Sequence, residues 1–149
     1  MSTLLHWEDF SVDQEFILGC YFLSESEITH FASQYDPLTF HTDPIGALDT
    51  PIGQHCASGI HTIGVIQRLT VEAFLARTAV VAGLAVDNLR FSKAVLANQT
   101  LRATATISAT RLIPGHTDRG AISYRVNAWD STDELVCTMI TTVLVLKRP

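Results

Sequence analysis

The sequence predicts an α+β domain in which one antiparallel sheet wraps around a long central helix. Residues 84–95, 100–113, 120–131 and 134–146 are rich in valine, isoleucine and threonine, and they form four consecutive strand-like segments. Residues 58–80 are the most helix-like stretch of the chain. No alternation of strands and helices follows this stretch, so a doubly wound parallel sheet is not expected.

The first part of the chain predicts one more strand and a short helix. Residues 14–24 carry aromatic and β-branched side chains, which are typical of a strand. Ser24 or Ser26 can cap the helix that follows. This helix must end near Tyr35, because the residue before Pro37 is pushed out of the helical region.

The central segment is apolar at nearly every position, which predicts a helix that is buried on all sides. In the strand after it, alternation places Asn88 and Arg90 on one face and Leu89 and Phe91 on the other. The polar face is expected to meet a ligand or a second copy of the chain, and the alternative is a purely structural role.

The composition indicates one globular domain over residues 1–149, with 47% hydrophobic and 17% charged residues. The net charge of −5 argues against binding to nucleic acid or to an anionic membrane, since both require a basic face. No segment resembles a signal peptide or a membrane span. Three widely spaced cysteines predict reduced thiols and a cytoplasmic location. The spacing of the six histidines predicts no metal site.

Asp36 and His41 form the first candidate site, because they lie five residues apart in the proline-rich stretch SQYDPLTFHTDP. A carboxylate and an imidazole on one loop can hold a water molecule between them and divide two proton transfers. The alternative is that Asp36 caps a turn and His41 lies within it, since aspartate and proline are turn formers.

Gly59 is the second candidate, because it stands where the central helix begins. The N–H groups at a helix start carry partial positive charge and can stabilise a developing oxyanion. Glycine also lets a ligand approach the backbone closely. The alternative is an ordinary helix start that Ser58 caps.

Four stretches resemble the MaoC-like dehydratases and the related (R)-specific enoyl-CoA hydratases, which have the hot-dog fold. The stretches are FASQYDPLTFHTDPIGA (31–47), PIGQHCASGIHT (51–62), LAVDNLRFSKAV (84–95) and TDRGAISYRVNAWD (117–130). The resemblance implies reversible hydration of an enoyl thioester carried by CoA or by an acyl-carrier protein. It implies no cofactor, and it implies a homodimer or a dimer of dimers.

The resemblance also implies roles for individual residues. Asp36 and His41 would be the catalytic pair, and the Gly59 N–H would be the oxyanion donor. We expect four further residues to contact the substrate, namely Ser58, Thr39, Asn88 and Arg90.

The loop departs from the family pattern of Asp, any residue, Asn, Pro, an aliphatic residue and His. Leu38 and Thr39 stand where the family has Asn and Pro, and Phe40 takes the aliphatic position. The positioning amide is therefore missing. We expect the Thr39 hydroxyl or the backbone of the turn to replace it, and Leu38 to favour an apolar or branched acyl group.

Two other functions fit the same fold. A hot-dog thioesterase would place its carboxylate on or beside the central helix, where only Glu72 is available. A non-catalytic acyl-CoA-binding or assembly subunit would not need the Asp36–His41 pair.

Overall fold

The structure is a computed structural model that describes residues 3–149, and it has the predicted fold class. Its strands are β1 (Glu15–Leu23), β2 (Val80–Phe91), β3 (Gln99–Leu112), β4 (Arg119–Trp129) and β5 (Leu135–Leu146). They form one antiparallel sheet in the order β1–β3–β4–β5–β2. The helices are α1 (Glu25–Tyr35), α2 (Thr39–Thr42) and α3 (Gly59–Ala73). No helix within residues 3–149 is long and apolar enough to cross a membrane.

The helix α1 begins and ends where the sequence predicts. The Ser24 hydroxyl accepts a hydrogen bond from the Glu27 N–H at 3.2 Å, which satisfies one free donor of the first turn. Asp36 follows the last helical residue and has left the helical region, with φ −156° and ψ 68°. The helix end therefore sets the position of the Asp36 side chain.

The central helix α3 packs its buried side chains, including Ile66 and Leu69, against the sheet. It ends earlier than the apolar pattern suggested, because Phe74 turns away from it. The Phe74 ring is fully buried and stacks on Phe16 with 4.3 Å between ring centroids. This aromatic contact beside β1 outweighs continuation of the helix toward residue 80.

The prediction that α3 is buried on all sides is wrong for the single chain. Ile60 and Val71 are exposed on one face of the helix. In the edge strand β2, every residue except Ala85 is exposed. Gln67 of α3 and Leu84 of β2 line one open groove, so the two exposed surfaces adjoin. The chain leaves a continuous, largely apolar surface along this edge.

The hairpin between β4 and β5 is closed by Asp130, whose side chain is completely buried. Its Oδ1 accepts hydrogen bonds from the Thr132 N–H, the Thr132 hydroxyl and the Glu134 N–H, and its Oδ2 accepts one from Lys93 Nζ at 2.9 Å. Burial alone would raise the pKa of Asp130, but these hydrogen bonds hold it well below its usual range. Lys93 follows β2, so this carboxylate also fixes the chain segment beyond that strand.

Replacing Asp130 should reduce stability in a pH-dependent way. We expect Asp130→Asn to lower the free energy of unfolding at pH 7 by about 1–3 kcal/mol, because buried donors lose a charged acceptor. A depressed folded-state pKa contributes stability that is present above the unfolded value and is lost as the pH falls through the folded one. The difference between native protein and variant should therefore narrow below about pH 4. Urea unfolding of both proteins at pH 7 and pH 3 measures this difference in the free energy of unfolding.

Asp133→Asn is the matched control, since Asp133 lies in the same turn but its side chain is 82% exposed. It should change stability little at either pH. An Asp130→Asn variant as stable as this control at pH 7 would contradict the role assigned to the buried carboxylate.

Candidate active site

Asp36 and His41 face each other at the start of α3. His41 Nε2 lies 3.4 Å from Asp36 Oδ2. His41 is buried in the short helix α2, whereas the Asp36 side chain remains 28% exposed. The stretch that the sequence predicted to be a loop thus contains one helical turn, which directs the imidazole inward toward the carboxylate.

The orientation of the His41 ring is set by its other nitrogen. Nδ1 lies 2.7 Å from the carbonyl oxygen of Cys56. A carbonyl can only accept, so Nδ1 carries the hydrogen, and in the neutral ring Nε2 presents its lone pair toward Asp36. The ring can therefore accept a proton at Nε2 while Cys56 holds its plane fixed.

Ser58 holds the carboxylate. Its hydroxyl donates to Asp36 Oδ2 at 2.7 Å and makes no capping bond to α3. Ser58 itself is fully buried. The helix cap considered from the sequence is thus not formed, because the hydroxyl is directed to the end of α1.

Gly59 begins α3 directly beside this pair. The first turn of α3 has no side-chain cap, so its N–H groups are available to a ligand. A Cβ at Gly59 would lie 2.6 Å from Cζ of Phe91, which is closer than atoms can approach. A residue with a side chain at position 59 would therefore have to displace the Phe91 ring, a contact that no sequence pattern indicated.

A pocket of about 510 Å³ opens beside His41 and Gly59. Its lining is mainly apolar and comes from α2, the start of α3 and the chain after β2, with Phe40, Ile52, Cys56, Ala57, Phe91, Ala94 and Val95 among the residues. Such a pocket suits an apolar group whose reactive end meets a few polar atoms.

The other titratable groups near the pocket are poor nucleophiles or bases. Burial, and then the negative charge of Asp36, raise the pKa of the Cys56 thiol, so it stays protonated. Burial lowers the pKa of His61, although Glu27 opposes the shift. The His61 ring stacks on Phe31 on the side of α3 that faces α1. All three cysteines are free thiols, as predicted.

Two loop residues do not take the places expected for them. Thr39 is exposed, and its hydroxyl makes no hydrogen bond to any residue within 3–149. Leu38 precedes α2, is 51% exposed and does not line the pocket. Ser58 and the Cys56 carbonyl hold Asp36 and His41 instead, so the expected positioning role of Thr39 is not found. Leu38 was expected to select the acyl group, but in the single chain it does not contact the pocket that would hold this group.

Asn88 and Arg90 lie apart from this pocket. A β-bulge between Asp87 and Arg90, with Asn88 at φ +52°, interrupts the alternation of β2. Both residues line a separate polar groove of about 570 Å³ on the outer face of the sheet, together with Arg125, Asn127 and Thr138. The structure thus does not bring them to Asp36 and His41 of the same chain.

Glu72, which a thioesterase would need, is exposed and paired with Arg68 at 2.9 Å. It lies in the last turns of α3, far along the helix from Gly59. Within residues 3–149 no group of three or more histidine, cysteine, aspartate or glutamate side chains is arranged to hold a metal ion.

Three solved structures have the same fold over nearly the whole chain. The MaoC-like dehydratase from Rhodospirillum rubrum is 26% identical, with a TM-score of 0.90 over 97% of this chain and 99% of that one. The (R)-hydratase from A. caviae involved in PHA biosynthesis is 20% identical, with a TM-score of 0.72 over 95% and 99%. A Mycobacterium tuberculosis protein with a double hotdog fold is 22% identical, with a TM-score of 0.79 over 97% of this chain and 44% of that one.

The fold is therefore the hot-dog fold, with the five-stranded sheet around α3. Residues 11–129 match the family described as the MaoC like domain. This match includes Asp36, His41, Ser58 and Gly59, and it extends through β4. The chain belongs to the MaoC-like domain family.

Proposed function

We propose that this protein reversibly hydrates an enoyl thioester to a 3-hydroxyacyl thioester, and that it is a hydro-lyase. The observation that carries the proposal is the distance of 3.4 Å between His41 Nε2 and Asp36 Oδ2, with His41 lining an apolar pocket. Family membership supports a hydratase or dehydratase activity, and the (R)-hydratase from A. caviae has the same fold.

In the proposed reaction, one water molecule is held between Asp36 and His41. The pair takes a proton from this water, and the resulting hydroxide forms a bond to the β-carbon of the enoyl group. The electrons of the double bond move to the thioester oxygen, and the pair then returns a proton to the α-carbon. The hydrogen bond from Ser58 to Asp36 supports this role, because it fixes one carboxylate oxygen and leaves the other free.

The thioester oxygen would be stabilised by the Gly59 N–H. The uncapped first turn of α3 supports this assignment, since the charge develops where donors are already oriented. Phe40, Ile52 and Val95 would contact the acyl chain in the pocket.

The carrier of the acyl group would be CoA or an acyl-carrier protein. We propose that Asn88 and Arg90 contact the carrier and not the acyl group, since a carrier extends well beyond the pocket. Arg90 forms no ion pair within the described chain, so its charge is free to meet a phosphate.

Thr39, exposed beside the site, is proposed to contact the substrate only from its outer rim. The unpaired thiols fit the proposed cytoplasmic location.

The two alternatives have less support. A thioesterase carboxylate at Glu72 would have to leave its partner Arg68 and act at a distance from the pocket. A purely binding subunit would have no use for a carboxylate, an imidazole and an uncapped helix start at one place.

Replacing either member of the pair should abolish most of the activity. We expect Asp36→Asn and His41→Gln each to lower the hydration rate by about 10²–10⁴-fold, which is the usual loss with acid–base catalysis. The assay follows the loss of enoyl absorbance of crotonyl-CoA, with free-thiol release measured alongside.

His30→Gln is the control, because His30 is exposed on α1 and does not line the pocket. It should keep native turnover. A pair variant that matches this control, or thiol release in place of hydration, would refute the assignment.

We further propose that the protein is a homodimer joined along β2, with each pocket closed by both chains. The exposed edge strand supports this, since a long apolar edge without a partner invites association. Val81, Leu84 and Val86 are exposed along it, beside Ile60 and Val71 of α3. A second copy would cover both surfaces at once.

Sedimentation at micromolar concentration should report a dimer for the native protein. Val86→Lys should shift it to a monomer, because it places a charge in the middle of the edge. Ile17→Lys should not, since Ile17 is 80% exposed on β1, the opposite edge strand. A native monomer that is fully active, or dimer loss only with the β1 variant, would exclude this interface.

A further inference from the structure

Four residues before α3 hold the candidate catalytic pair, and we call residues 55–58 the strut. In the strut, the Cys56 carbonyl accepts a hydrogen bond from His41 Nδ1, and the Ser58 hydroxyl donates one to Asp36 Oδ2. The strut also bonds through its backbone to Phe40, where the Cys56 N–H donates to the carbonyl at 3.0 Å. On its other side, the Ala57 N–H donates to the Val95 carbonyl at 2.8 Å.

His55 is the member of the strut whose side chain has no role so far. It is buried, with 7% of its surface exposed, and its Nε2 lies 2.7 Å from the carbonyl oxygen of His41. Because a carbonyl only accepts, His55 must carry its hydrogen on Nε2 and donate it. Its Nδ1 is buried and has no hydrogen-bond partner within residues 3–149. Nε2 also lies 3.5 Å from the Thr29 hydroxyl, so the short contact of the ring is the one with the backbone of the candidate catalytic histidine.

That contact matters because α2 is only four residues long. So short a helix leaves its last carbonyl groups without intrahelical partners, and an isolated turn has little stability of its own. His55 satisfies the His41 carbonyl, while Cys56 fixes the His41 ring. Consecutive residues therefore hold the backbone and the side chain of His41.

We propose that His55 is a positioning residue for His41, which fixes the imidazole through its main chain. This inference rests on the proposed function, because it assigns His41 the proton transfer. Without the N–H donor, α2 can shift, and a displacement of about 1 Å at a reacting group is enough to lower the rate strongly. The loss should appear in kcat and not in KM, since His55 does not line the pocket.

The test compares His55→Gln with His55→Met. Glutamine can place an amide N–H near the position of Nε2, whereas methionine has similar length and no donor. We expect His55→Met to lower kcat for crotonyl-CoA about tenfold with KM unchanged, and His55→Gln to stay within about threefold of native. If His55→Met does not fold, His55→Asn replaces it, because its amide is one methylene too short.

A second readout needs no substrate. Imidazole ¹⁵N–¹H spectra report the Nδ1–H of His41, which the Cys56 carbonyl protects in the native protein. This resonance should persist in His55→Gln and shift or exchange rapidly in His55→Met. His61→Met is the control for loss of a buried histidine, since His61 is 5% exposed and touches neither His41 nor Asp36. It should leave the His41 resonance unchanged.

The two readouts separate the two proposals. A native protein without turnover refutes the hydratase, while the resonance still decides the role of His55. If His55→Met keeps both the native kcat and the native His41 resonance, His55 does not position His41. The same conclusion follows if His55→Gln and His55→Met lose kcat equally, because the donor would then be irrelevant.

Discussion

The hydrogen bond from the Ser58 hydroxyl to Asp36 joins the end of α1 to the start of α3. Both ends are fixed by packing, because α1 and α3 bury Ile28, Ala32, Val65 and Ile66 in the domain. A serine in this position would ordinarily cap its own helix. Here the Ser58 hydroxyl donates to the Asp36 carboxylate instead. This one hydrogen bond orients Asp36 and also leaves the first N–H groups of α3 free. The proposed acid–base group and the proposed oxyanion donors are thereby placed side by side.

The rest of the site follows from this placement. His41 reaches Asp36 only because α2 turns inward, and α2 keeps its position because the strut binds it at Phe40 and His41. Beyond β2, Asp130 holds Lys93 and thus the chain that forms another wall of the pocket. Hydrogen bonds hold the site on these sides, whereas the edge strand β2 of the single chain is exposed.

The fold and the pair were accessible from the sequence, whereas the contacts that hold the pair were not. Strand composition, the Ser24 cap and Pro37 indicate the strands and the bounds of α1 locally. Asp36 and His41, five residues apart in the chain, lie 3.4 Å apart in the structure, as their proximity in the sequence suggested. The Ser58–Asp36 and His55–His41 bonds join residues 22 and 14 positions apart, and no periodic pattern reports such pairs. Alternation grouped Asn88 with Arg90, and the two do line one groove, but it could not show that this groove lies apart from Asp36 and His41. The burial of α3 was overestimated, since apolar character alone does not distinguish a buried helix face from an exposed one.

The fate of the proton tests the central claim most directly. When crotonyl-CoA is hydrated in D₂O, the pair must deliver a solvent deuteron to the α-carbon. Mass spectrometry and proton NMR should find 3-hydroxybutyryl-CoA with one deuterium at that carbon, in a single diastereomer, and no released thiol. Free CoA together with unlabelled crotonate would identify a thioesterase, and unchanged, unlabelled crotonyl-CoA would contradict any role of Asp36 and His41 in this proton transfer.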